Sequence, residues 1–269
     1  MVNLSKVTIV LVLGMFILGA VLSLSLVDCK KEDETMGVTN GGLVPKGGIP
    51  AIDASAPVRT ETATLALGCF WGPDSRFGSI DGVVHTRIGY TGGSSNNPTY
   101  YNLGGHSETI QIYYDPTKVT YEELLEVFWD SHHPTAQPYS RQYMSIVFYH
   151  SGEQRRLAIE SKECEESRSG LSVITEIIPF SEFYLAEDYH QKYYLRQEAD
   201  LLKEFRAIYP KIEDFISSTA VARVNGYVGG YGTLENLEKE TNSLGLSEAG
   251  SIRLLEIADR GLIPGCVVP

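Results

Sequence analysis

Leu65-Ala66-Leu67-Gly68-Cys69-Phe70-Trp71-Gly72 is the stretch on which the reading of this chain turns. An apolar, strand-like run over 62–68 ends on a glycine. A cysteine follows at once, then two aromatics, then Gly72, Pro73 and Asp74, with helical character over 73–80. Cys69 therefore sits at a strand-to-helix junction, near the positive end of a helix dipole. That position lowers a thiol pKa and favours the nucleophilic thiolate. Phe70 and Trp71 can wall an apolar pocket beside the sulfur. A solitary cysteine is more often a buried structural residue; the flanking glycines and the aromatic pair shift the reading to a nucleophile.

Outward from this point, strands and helices alternate. Residues 83–90 and 108–114 alternate in hydrophobicity as strands, and 121–131 have helical spacing with Leu124, Leu125, Phe128 and Trp129 on one face. Further strands are expected over 143–149 and 173–178, and an amphipathic helix over 153–167. The pattern predicts an α+β fold, a mixed sheet with helices packed on it. Residues 199–218 read as one or two helices broken at Pro210. Asn225–Gly232 read as a glycine-rich coil, and Thr233 and Ser247 as caps of two closing helices.

The 269 residues carry 22 basic against 34 acidic side chains, a net charge of -12. No basic patch or stripe stands out, which argues against a nucleic-acid partner. The four cysteines, Cys29, Cys69, Cys164 and Cys266, form no C-x-x-C pair, so a zinc site is not expected. Cys164 lies among acidic neighbours that disfavour a thiolate. Val7 to Val27 is a nearly unbroken apolar run of 21 residues, long enough to span a bilayer. Leu26-Val27-Asp28-Cys29 resembles a lipobox, except that Asp28 is not a small residue. The expected organisation is a signal or membrane anchor (1–28), a flexible linker (29–61), a catalytic domain (62–218), and a glycine-rich coil with a helical tail (219–269). A monomer is expected, anchored at a membrane or secreted, with its catalytic domain outside the cytoplasm.

Gly68-Cys69-Phe70-Trp71-Gly72 closely resembles the G-C-F-W-G motif of the A-type peptide methionine sulfoxide reductases. Three further blocks resemble that family in order: Gly89-Tyr90-Thr91-Gly92-Gly93, Asn97-Pro98-Thr99-Tyr100 and Gly105-His106-Ser107-Glu108. Four ordered blocks within about forty residues are a specific signal. The resemblance runs from about residue 62 to 194 and is weak beyond. It implies a ferredoxin-like two-layer α/β sandwich and reduction of the S epimer of methionine sulfoxide, free or in proteins, by attack of Cys69. It further implies Glu108 as acid, Tyr100 and Tyr143 as phenols at the oxygen, and Phe70 and Trp71 around the S-methyl group. No metal or organic cofactor is implied. The resulting sulfenic acid needs thioredoxin or another dithiol.

The sequence departs from the family in two places. The loop before Arg141-Gln142-Tyr143-Met144-Ser145 is short and lacks the family's G-N-D aspartate. Gly226-Tyr227-Val228-Gly229 has valine where a resolving cysteine often falls, which leaves Cys266 as the candidate resolving thiol. Tyr101 and Tyr139 are substitutes for the two phenols. One rival reading is a cysteine hydrolase, with His106 as the nearest base by motif. The other is a non-catalytic module that binds oxidised methionine in an aromatic cage.

Overall fold

The computed structural model describes residues 48–261; the apolar run Val7–Val27, Cys29 and Cys266 lie outside the described residues. In chain order the elements are α1 (Ala51–Ala54), β1 (Glu61–Leu67), α2 (Trp71–Gly78), β2 (Val83–Thr91), β3 (Ser107–Tyr114), α3 (Tyr121–Trp129), β4 (Ser145–Tyr149), α4 (Gly152–Ser169), β5 (Glu176–Pro179) and β6 (Tyr184–Leu185). Six helices follow: α5 (Tyr193–Gln197), α6 (Ala199–Ile208), α7 (Ile212–Ile216), α8 (Thr219–Val228), α9 (Leu234–Glu240) and α10 (Glu248–Asp259). No described helix is long and apolar enough to cross a membrane.

The sheet runs β5-β4-β1-β3-β2-β6. All neighbours pair antiparallel except β4 and β5. The inner four strands, with α2 joining β1 to β2 and α3 joining β3 to β4, make a ferredoxin-like βαββαβ unit. This is the mixed, helix-packed sheet expected from the sequence. Period-two alternation sorts the side chains. Leu65 and Leu67 of β1, Ile88 and Tyr90 of β2, and Ile110, Ile112 and Tyr114 of β3 join the helices in the main core. The opposite parity supplies a small second cluster around Ala66, Ile146 and Phe148, with hydrogen-bonded polar side chains such as Gln111 and Thr64 beside it.

Two local readings need correction. Asn225–Gly232 is not a coil: its first four residues complete α8, a helix buried along its whole length. The glycines there serve contact with α2. A Cβ at Gly226 would lie 2.7 Å from the Ser79 Cβ, one at Gly229 would lie 1.9 Å from the Ser75 Oγ, and one at Gly78 would lie 2.7 Å from the Ala222 carbonyl oxygen. Side chains at these positions would push the two helices apart. The helical tail thus shares an interface with the helix that follows Cys69, and its own core gathers Leu201, Phe205, Phe215, Val221, Leu237 and Leu254.

The described end of the expected linker is also structured. Asp53 of α1 accepts hydrogen bonds from the Thr219 and Ala220 backbone N–H groups at 2.5 and 3.1 Å, and from the Tyr209 and Ser218 hydroxyls at 2.6 and 2.7 Å. It supplies the capping carboxylate at the positive end of α8 from 166 residues away. A chain begun at residue 62 would lack that cap.

Candidate active site

Gly68 ends β1 with φ +93°, a backbone angle that costs glycine little. The turn releases the chain into α2 and leaves Cys69, half-buried, just ahead of the first helical residue. Phe70 is 2% exposed; Trp71 is half-buried. The Trp71 ring stacks on Tyr193 at 3.7 Å, and its indole N–H donates to the His190 Nδ1 at 3.2 Å. Phe70 packs against Tyr90 and His190, with centroids 5.9 and 5.2 Å apart.

Glu108 arrives by strand parity. It shares the row of Ile110, Ile112 and Tyr114, so the alternation that buries those residues buries a carboxyl at the end of the row. Directly across from Tyr90 in the sheet register, it is 2% exposed. One carboxyl oxygen accepts the Phe70 N–H at 3.0 Å, the other the Gln142 side-chain amide at 2.6 Å. Burial pushes its pKa from 4.5 up to about 7; the two hydrogen bonds, which favour the charged form, offset only part of this. A carboxyl in that range can deliver a proton near neutrality.

Tyr143 does not begin β4. It closes a one-turn 3-10 helix, Arg141–Tyr143, just before the strand. That turn aims Gln142 at Glu108. The Tyr143 phenol is hydrogen-bonded to that of Tyr100 and feels the charges of Glu108 and Cys69; burial first, then these neighbours, raise its pKa. Cys69, Phe70, Trp71, Tyr100, Glu108 and Tyr143 are therefore gathered in one place. Tyr101 and Tyr139, at 90% and 92% exposed, are not substitutes for the two phenols.

Several residues at the site were not assigned from sequence. His190 touches Phe70, Trp71 and Tyr100, and its Nε2 is buried without a hydrogen-bond partner among the described residues. Burial lowers its pKa, against a smaller opposing effect of Glu187, which favours the charged ring; the net shift favours the neutral ring. Glu187 accepts the Tyr90 hydroxyl at 2.7 Å and the Tyr100 N–H at 3.0 Å. Burial works to raise its pKa, but these donors outweigh it and hold the group below the usual value. The available signal was Glu187-Asp188-Tyr189-His190, a run of polar and aromatic residues where chain patterning is otherwise weak. His106 is no base for Cys69. Its Nδ1 accepts the Gly93 N–H at 3.1 Å and its Nε2 meets the Ser95 carbonyl at 2.8 Å, so both ring nitrogens are engaged in shaping a loop.

A buried ion pair fixes the frame of the site. Asp74, in the first turn of α2, and Lys192, beside His190, are 1% and 0% exposed in their side chains and meet at 2.7 Å. The Lys192 Nζ also donates to the Thr86 carbonyl and hydroxyl oxygens, both at 2.7 Å. Burial lowers the lysine pKa, while Asp74 works to restore it. Lys192 adopts φ +55°, a left-handed conformation uncommon outside glycine.

The sequence model of the Peptide methionine sulfoxide reductase family matches residues 61–223, and the chain belongs to this family. The model described as Selenoprotein methionine sulfoxide reductase A, helical domain, matches residues 212–257. The similarity thus continues well past Tyr194, where the motif resemblance faded. Among curated relatives, the Peptide methionine sulfoxide reductase of Drosophila melanogaster is 41% identical over 192 residues, 71% of this chain and 77% of the relative. Peptide methionine sulfoxide reductase A5 of Oryza sativa is 42% identical, covering 70% and 74%. Among solved structures, methionine sulfoxide reductase A of Corynebacterium diphtheriae is 32% identical, with a TM-score of 0.49 over 60% of this chain and 88% of that one.

The raised pKa of Glu108 has a consequence for stability. The folded chain binds more protons than the unfolded one between pH 4.5 and about 7, so this group's stabilising contribution is complete below that window and is lost as pH rises through it. Glu108→Gln, always uncharged, is expected to melt above the wild type at pH 8 and to lose that part of the pH dependence. Melting curves at pH 5 and pH 8 check this; identical wild-type and variant behaviour at pH 8 would mean that burial does not disfavour the carboxylate.

Proposed function

We propose that this chain reduces the S epimer of methionine sulfoxide, in peptides and as the free amino acid, to methionine. The observation that carries this reading is the Glu108 carboxyl, held by the Phe70 N–H beside Cys69 with a pKa near neutrality. The Cys69 thiolate attacks the sulfoxide sulfur. Glu108 protonates the oxygen, and the hydrogen-bonded Tyr100–Tyr143 pair donates to it as charge builds there. Phe70 and Trp71 enclose the S-methyl group in an apolar, water-poor pocket. The products are methionine and a Cys69 sulfenic acid, so the sulfoxide is reduced by two electrons and the thiol oxidised by two. Two further thiols return Cys69 to its reduced form, releasing water and forming a disulfide.

Thioredoxin or a similar dithiol is the reductant in this reading. Cys266, the remaining candidate in a Gly-Pro-flanked tail, condenses with the sulfenic acid first. Val228 supports this choice by elimination: at the family's thiol position it is a buried apolar side chain of α8. The apolar run Val7–Val27 supports a membrane anchor or export signal that places the catalytic domain outside the cytoplasm. The hydrolase reading loses its support with His106, whose ring nitrogens are occupied. The binding-module reading leaves a buried carboxyl beside a cysteine without a purpose.

The test is turnover of both epimers of a dabsylated methionine sulfoxide with dithiothreitol. The S epimer alone should be reduced, with a rate that falls as pH rises through about 7, the Glu108 pKa. Glu108→Gln should lower kcat by about 10²–10⁴-fold, the scale of a lost general acid, and abolish that limb of the profile. Turnover of neither epimer would refute the function. A separate experiment addresses recycling. Cys266→Ser should still make one methionine per enzyme from excess sulfoxide but lose thioredoxin-driven cycling; normal cycling would make the external thiol the direct reductant.

A further inference from the structure

The rings of the active site continue outward to the surface. Tyr100 meets Tyr101 edge-on, with centroids 5.4 Å apart, and Tyr189 lies 4.1 Å from His190. Tyr101 is 90% exposed and Tyr189 53%. Tyr100 and His190 themselves meet with centroids 4.8 Å apart, so Tyr101 and Tyr189 are the two outer ends of one run of rings. Neither ring belongs to the packed hydrophobic clusters of the fold. Exposed aromatic rings that continue a buried cluster outward mark an interaction site more often than scattered single exposures do.

The backbone turn that carries each ring is also held in place. Thr99 and Asn102 exchange backbone hydrogen bonds at 3.1 and 2.9 Å across the turn that carries Tyr100 and Tyr101. Glu187 ties that turn to the next one through the Tyr100 N–H. Tyr189 lies in the 3-10 turn Asp188–His190, which Arg196 and Arg206 anchor through Asp188. Exposed tyrosines on an anchored backbone offer a large contact area at low entropic cost, having only two side-chain torsions to fix.

An extended polypeptide advances roughly 3.3–3.6 Å per residue. With a methionine sulfoxide in the pocket against Tyr100 and His190, the next one or two residues reach ring centres 4.1–5.4 Å farther out. Methionine is mostly a core residue. Its oxidation disrupts cores and exposes the apolar stretch around it. The geometry points to Tyr101 and Tyr189 as a docking surface for an apolar residue adjacent to methionine sulfoxide in an extended, oxidatively unfolded polypeptide. This inference rests on the reaction proposed above and names the form of its substrate: the chain prefers polypeptide to the free amino acid because the flanking residue covers these two rings.

The test uses the full chain, dithiothreitol, and two substrates: free methionine S-sulfoxide and an acetylated pentapeptide with that residue between leucines. Tyr101→Ala/Tyr189→Ala should lose about tenfold in kcat/KM toward the peptide, mainly through KM, the scale of one lost aromatic contact. Activity toward the free amino acid should stay within about twofold on the same scale. Tyr101→Phe/Tyr189→Phe should keep the peptide preference, since the rings remain. An equal loss on both substrates, or no loss on the peptide, overturns the docking surface. So does a loss that appears only when thioredoxin replaces dithiothreitol, because the patch would then serve the reductant. A wild type inactive on both substrates contradicts the proposed reaction itself, an outcome distinct from the other three.

Discussion

The ion pair between Asp74 and Lys192 is the constraint on which the site depends. Asp74 accepts from the Lys192 Nζ at 2.7 Å, the Lys192 N–H at 3.1 Å, the Thr86 hydroxyl at 2.6 Å and the Asn225 side-chain amide at 3.5 Å. One carboxylate thereby joins α2, which carries Phe70 and Trp71 at its start, to β2, to the turn that carries His190, and to α8. A buried pair of this kind adds little to net stability, because desolvating both charges is costly. Removing one partner is a different matter: it leaves a charge buried among neutral groups and typically costs about 3–5 kcal/mol. The arrangement therefore has one low-energy geometry, in which the Trp71 indole reaches the His190 Nδ1 at 3.2 Å. Lys192 holds its left-handed backbone because its ammonium reaches three acceptors from there.

A second constraint follows from sheet geometry. The row that gives the core Ile110, Ile112 and Tyr114 delivers Glu108 to the same face, and the backbone N–H of Phe70 closes over it. The chemistry of the site thus comes from placing a polar group where the fold demands an apolar one. Burial raises the proton affinity of Glu108 at some cost in stability, and in the proposed reaction this suits it to act as the acid. Local rules are most often broken at functional sites.

The sequence made much of this legible because the relevant signals are local. The strand before Cys69, the parity of Glu108, and the apolar face of Leu124, Leu125 and Phe128 each follow from a few neighbouring residues. Thr233 and Ser247 cap α9 and α10 as their side chains indicated. What could not be read depends on contacts distant in sequence. Gly226 and Gly229 look like loop residues until α2 is seen against them. Asp53 looks like part of a polar linker until α8 is seen above it. Glu187 and His190 lie outside any regular periodicity, and only the return of the chain along β2 brings them to Phe70 and Tyr100. Lys192 would pass for a surface lysine in any composition-based reading, yet it is fully buried.

In the proposed reaction the Cys69 sulfur takes up the oxidising equivalent, and every later step follows from that. The direct measurement is a single turnover of Cys266→Ser enzyme with stoichiometric methionine S-sulfoxide, no reductant, and dimedone present, followed by peptide mass mapping. One methionine per enzyme and one dimedone adduct, on Cys69, are expected. Methionine formed with no adduct on Cys69, or with the adduct on Cys164, would contradict it.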